Sequence, residues 1–202
     1  MLIPVLTFVL TKNFSSVPKI KYTNQLFVVM TQLSAHFSAR ITLAAGESTQ
    51  RIAEQGYGTL LAGGKLQLSL LEACYLSEKD VLNLTDARGK ALSLEQIERK
   101  AERSQHDFWV RYSVYKDLRA RGYVVKTGFK YGADFSVYDR GVKPGQDHSR
   151  WIVYPVHEAK KFSWHDFSAK NRIAHTTKKR LMLGVVDDEG SVTYFEVRWM
   201  RP

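Results

Sequence analysis

YVVKTGFKYGADFSVYDR, residues 123–140, reads as two strands joined by a glycine-punctuated turn, and the rest of the chain is arranged around it. Within Asp134–Tyr138 the side chains alternate, so Phe135 and Val137 share one face and Ser136 and Tyr138 the other. The stretch then runs into RGVKPGQDHSR, a polar loop with one proline and two glycines, and re-enters an apolar strand, WIVYPV. A strand–loop–strand of this length can bring Tyr138 and His148 to one substrate.

Downstream, the segment from Ser163 to about Lys178 reads as a helix, with Asp166 three residues after Ser163 in a capping-box variant. Residues seven apart lie two turns along one face. Arg172 and Lys179 are therefore expected to share a face, with His175 and Thr176 between them. LMLGVV follows as a buried strand, DDEG as a turn, and VTYFEVRWM as a closing strand.

Upstream, Phe108, Tyr112, Tyr115 and Leu118 form an apolar stripe on a helix from about His106 to Arg121. Arg119 and Arg121 fill its last turn, where the helix dipole favours cations, and Gly122 is the expected terminator. Ser93 and Gln96 mark the start of a charged helix, LEQIERKAERS. LQLSLLEACYLSEKDVL carries a helical apolar pattern through Leu70, Leu71, Cys74 and Tyr75. LIPVLTFVL, QLFVVMTQL and RITLAAG read as short strands, and glycines 56, 58, 63 and 64 mark loops around TLLA. The pattern is α+β: an N-terminal small antiparallel sheet with helices, then a C-terminal mixed-sheet domain flanked by helices. The boundary is placed near residue 106, giving domains 1–106 and 107–202.

Composition narrows the partner. The chain has 202 residues and a formal net charge of +10. That excess favours a polyanion, nucleic acid before acidic membrane. The single cysteine, Cys74, excludes an internal disulfide and suits a reducing cytoplasm. No zinc-type spacing of Cys or His occurs, which argues against a zinc-type site; no metal or other cofactor is expected. MLIPVLTFVL is too short to span a bilayer and lacks a basic leader region.

Tyrosine, histidine and lysine together suffice for metal-free RNA cleavage. The 2′-OH attacks the adjacent phosphorus while one group takes its proton, one protonates the leaving 5′-oxygen, and a cation stabilises the phosphoryl oxygens. Histidine, with a reference pKa of ~6.5, can supply the acid; tyrosine, at ~10, becomes a base only where cations favour its anion. A metal-dependent DNA nuclease would want clustered acidic ligands, whereas the central strands offer Asp134 and an isolated Glu158. A protein that binds structured RNA without cutting it is the other reading.

YSVYKDLRARGYVVKTGFKYGADFSVYDRG, the following DHS, and AHTTKKRLMLGVVDDEG together resemble the archaeal tRNA-splicing endonuclease family, and LQLSLLEACYL resembles that family's N-terminal domain helix. The resemblance runs from about residue 40 to the C-terminus, and residues 1–39 add little to it. It implies Tyr138 as general base, His148 as general acid and Lys179 as transition-state stabiliser. It implies precursor tRNA as substrate, cut at bulge–helix–bulge junctions to leave 2′,3′-cyclic phosphate and 5′-hydroxyl ends. Arg172 matches one member of a cationic clamp on the bulge bases; Tyr194, Arg198 and Trp199 are candidates for the second. Asp187, Asp188 and Glu189 occupy a loop that, in the family, docks into a neighbouring subunit. A homotetramer is expected, with a heterotetramer containing a structural subunit as the alternative.

Overall fold

A computed structural model describes residues 33–142 and 144–198 of the chain. The proposed strands in residues 1–32, and Trp199, lie outside the described residues. The described chain divides into two compact units, meeting between Tyr112 and Ser113.

The first unit holds two small sheets. β2 (Arg40–Leu43), β4 (Leu66–Ser69) and β3 (Thr59–Leu60) form an antiparallel sheet in the order β2-β4-β3. β1 (Leu33–His36) pairs in parallel with β5 (Leu82–Thr85). α1 (Glu47–Glu54), α2 (Leu70–Glu78) and α3 (Leu94–Ser104) complete the unit. Its core includes Ile41, Ile52, Leu66, Leu68, Leu84 and Ile97.

The run LQLSLLEACYLSEKDVL is not one helix. Leu66 and Leu68 alternate into the core as strand β4, and Ser69 then caps α2. Ser69 Oγ accepts from Glu72 N, while the Glu72 carboxylate accepts from Ser69 N at 2.8 Å and from Gly58 N at 2.7 Å. Leu66-Gln67-Leu68-Ser69 alternates at the strand period, but over four residues only, before the helical pattern from Leu70 takes over. The capping box decides where the helix starts. Asp80, in the left-handed region at φ 58°, turns the chain into β5. The capping box at Ser93 and Gln96 starts α3 as expected.

α4 (Phe108–Ala120) crosses from the first unit into the second. All four residues of its expected stripe, Phe108, Tyr112, Tyr115 and Leu118, are buried. Gly122 ends the helix at φ 88°, and its amide donates to Arg119 O at 3.0 Å.

The second unit is a mixed five-stranded sheet in the order β10-β9-β8-β7-β6. Its strands are β6 (Val124–Thr127), β7 (Phe135–Tyr138), β8 (Trp151–His157), β9 (Arg180–Val186) and β10 (Val192–Val197). All neighbours are antiparallel except β8 and β9, which run parallel with α5 (Trp164–Thr176) as the crossover. One face of the sheet packs Ile152, Tyr154 and Leu181 against Phe167 and Ala174 of α5. The opposite face carries Gly184, against Val114 of α4. Among the described residues no helix is long and apolar enough to cross a membrane.

Candidate active site

Three segments reach the same end of this sheet. Val137 pairs with Trp151, and Trp151 pairs with Arg180. Arg150 N donates to Val137 O at 2.9 Å, and Arg180 N donates to Arg150 O at 3.0 Å. Tyr138 ends β7, His148 precedes β8 by three residues, and Lys179 immediately precedes β9. The register thus gathers Tyr138, His148 and Lys179 at one end of the sheet. Tyr138 is half-buried and His148 is exposed.

The loop between β7 and β8 is tied at its base. Asp139 and Arg150, at its two ends, form an ion pair at 2.8 Å. Inside it, Ser149 is buried and accepts a hydrogen bond from Ser136 Oγ at 2.6 Å. His148 N donates to Asp147 Oδ1 at 2.6 Å.

Lys179 is not on α5, contrary to the expected shared helical face with Arg172. The helix stops at Thr176, and Lys178 takes up the left-handed conformation at φ 55°. Lys178 N then donates to His175 O at 3.0 Å and Lys179 N to Ala174 O at 2.8 Å, the paired bonds of a Schellman motif. This reversal swings Lys179 off the helix toward the β7–β8 loop. Its Nζ donates to Ser149 O at 2.7 Å and stands 5.1 Å from the centre of the Tyr131 ring. One ammonium donor is thus engaged, and an ammonium has three.

Tyr131 and Lys130 belong to a short 3-10 turn, Phe129–Tyr131, between β6 and β7. Lys130 Nζ lies 4.9 Å from the Tyr131 ring centre. A hydrogen bond to Tyr131 and the charges of Tyr131 and Tyr138 raise the Lys130 pKa. Neither residue stood out as functional in the sequence, although both sit in the GFKYG turn and Gly132 at φ 64° marks its reversal.

Arg172 is exposed on α5. The candidates for a second base contact are separated. Tyr194 pairs with Gly184 on the α4 face, opposite to the face that α5 covers. Its ring lies 5.8 Å from the Arg121 guanidinium. Burial, then the charge of Asp117 and a hydrogen bond to it, raise its hydroxyl pKa far above the ordinary range. Arg198 instead follows β10 at the end of the sheet that holds Lys179, since Val197 pairs with Leu181. Its Nε donates to Glu196 Oε1 at 2.7 Å. Glu196 also accepts from Trp151 Nε1 at 2.9 Å and faces Arg180 at 3.3 Å. Burial pushes the Glu196 carboxyl up, but Trp151, Arg198 and Arg180 outweigh it and hold the pKa below the usual value.

At the other end of the sheet, the three acidic residues of the β9–β10 turn differ. Asp187 Oδ1 accepts from Glu189 N at 3.0 Å and Ser191 N at 2.8 Å, so this carboxylate shapes its own turn. Asp188 Oδ1 lies 3.0 Å from His157 Nε2, and both Asp188 and Glu189 are exposed.

Two family descriptions match the chain: "tRNA intron endonuclease, N-terminal domain" over residues 34–98 and "tRNA intron endonuclease, catalytic C-terminal domain" over residues 108–194. Relatives named tRNA-splicing endonuclease are similar over most of their length. That of Pyrococcus furiosus is 42% identical over 147 residues, covering 73% of this chain and 83% of the relative. That of Methanothermobacter thermautotrophicus is 40% identical over 162 residues, covering 80% and 94%. That of Nanoarchaeum equitans is 41% identical over 142 residues, covering 67% and 90%.

Proposed function

We propose that this chain, which belongs to the tRNA intron endonuclease family, excises introns from precursor tRNA by cutting at bulge–helix–bulge junctions. One observation supports this reading most: Lys179 Nζ is held 2.7 Å from the carbonyl of Ser149, the residue after His148, at the end of the sheet where Tyr138 closes β7. A base, an acid and a fixed cation at one end of the sheet can then act on one phosphodiester.

In this reading Tyr138 takes the proton from the 2′-OH as that oxygen attacks phosphorus. His148, exposed on its loop, gives a proton to the departing 5′-oxygen. The ammonium of Lys179 neutralises charge on the non-bridging oxygens as the pentacoordinate state forms. The products are a 2′,3′-cyclic phosphate and a 5′-hydroxyl, and no step needs a metal ion.

Arg172, exposed on α5, stacks on a bulge base, with Arg198, at the end of the sheet that holds Lys179, as the candidate partner. Residues 107–202 form the nuclease domain. The enzyme works in the cytoplasm as a homotetramer: β10 is an edge strand carrying Phe195, 37% exposed, and offers a surface for pairing with a second copy.

Single-turnover cleavage of a bulge–helix–bulge precursor, with and without EDTA and with analysis of the product ends, tests the reaction. His148→Ala is expected to lower the rate by ~10²–10⁴-fold, with RNA affinity retained. Unchanged cleavage removes His148 from the mechanism. Tight binding by the wild-type assembly without any cutting supports a structured-RNA-binding protein instead.

A further inference from the structure

We propose that Ser149, together with Ser136, is a positioning residue that sets the geometry among Tyr138, His148 and Lys179. The inference rests on the reaction proposed above.

Ser149 meets all three segments of the site. Its hydroxyl accepts from Ser136 Oγ at 2.6 Å, and Ser136 lies on β7 two residues before Tyr138. Its carbonyl accepts from Lys179 Nζ at 2.7 Å. Its amide nitrogen is joined directly to His148. The next residue closes the ladder on both sides, Arg150 N to Val137 O and Arg180 N to Arg150 O.

Burial gives the hydroxyl pair its leverage. Ser136 and Ser149 are 3% and 5% exposed, whereas His148 beside them is exposed. A buried hydroxyl cannot exchange its partner for water, so the pair holds one arrangement. Ser149 is the last residue of the loop before the ladder resumes, and free rotation there would turn both its carbonyl and the preceding histidine. The hydroxyl bond stops that rotation from the β7 side. The carbonyl then presents a fixed acceptor to Lys179, which approaches from the α5 reversal with its ammonium 5.1 Å from the centre of the Tyr131 ring.

Such a device affects the chemical step more than binding, because transition-state contacts depend on placement within fractions of an ångström. Neither serine needs to touch RNA.

The test uses the assembled full-length protein and a bulge–helix–bulge RNA. Ser149→Ala and Ser136→Ala are each expected to lower the single-turnover rate at saturation by about 10- to 100-fold, with RNA affinity changed less than about twofold. The double variant Ser136→Ala/Ser149→Ala is expected to lose no more than either single one, because both act through one bond. It also removes both polar partners together, which guards against a variant that fails only because a buried hydroxyl is orphaned. In a Lys179→Ala background, Ser149→Ala is expected to cost less than it does in the wild-type enzyme, because one of the groups it places is gone while His148 still depends on it.

A Ser149→Ala enzyme at the wild-type rate overturns the positioning role while leaving the proposed reaction in place. Additive losses from the two serines overturn the shared bond. Loss of RNA affinity with an unchanged saturated rate overturns it too. A wild-type assembly that binds but does not cut overturns this inference and the proposed reaction together.

Discussion

Tyr194 lies across the β9–β10 ladder from Gly184, and its ring covers the place where Gly184 has no side chain. A Cβ on Gly184 would stand 3.4 Å from Tyr194 Cε1 and 2.9 Å from Val114 Cγ2. The glycine lets α4 and Tyr194 close over one face of the sheet.

Gly184→Ala is therefore expected to destabilise the catalytic unit by about 1–3 kcal/mol, because Val114 is buried, β-branched and cannot rotate away cheaply. Thermal melting checks this. An unchanged midpoint would mean that α4 shifts freely over the sheet.

Lys178 points the other way. A non-glycine residue in the left-handed region at a helix C′ position costs roughly 1–2 kcal/mol. Glycine regains that cost but gives the unfolded chain more freedom. Lys178→Gly is expected to raise stability by about 0.5–1 kcal/mol while keeping the Schellman bonds that deliver Lys179. Urea denaturation reads the shift, and a loss of stability would mean that the lysine side chain contributes more than its backbone costs.

Arg172→Ala should leave folding within ~0.5 kcal/mol of wild type, since the side chain is exposed on α5. Stacking of a base is worth about 1–3 kcal/mol. Cleavage of a bulged substrate below saturation should fall accordingly, while the melting curve stays in place. Full activity on that substrate would remove Arg172 from base recognition.

The acidic turn predicts a split result. Charge reversal at Asp188 and Glu189, both exposed, should split the proposed homotetramer into dimers, measured by light scattering. Asp187→Asn should not, because the amide oxygen can still accept from the amides of Glu189 and Ser191. A tetramer that survives the reversal ends the docking role. A wild-type chain that is inactive until a second protein is added ends the homotetramer.

What could be read from residues alone was whatever depends on neighbours within about one helical turn. The stripe Phe108–Tyr112–Tyr115–Leu118, the box at Ser93 and Gln96, the stop at Gly122 and the alternation into Tyr138 are all encoded within a few positions. The tertiary structure decided what depends on distant partners. That LQLS is a strand is fixed by its pairing with β2 and β3, since its alternation is only four residues long and runs straight into a helical apolar pattern. Lys179 faces Ser149 because a left-handed lysine reverses the chain and because β8 and β9 run parallel in one register. Tyr194 turns toward α4 because Gly184 leaves room for it. The buried bond between Ser136 and Ser149 joins residues 13 apart, and that from Lys179 to Ser149 joins residues 30 apart. Hydrogen bonds over such separations have no periodic signature; they form only once the sheet has closed around them.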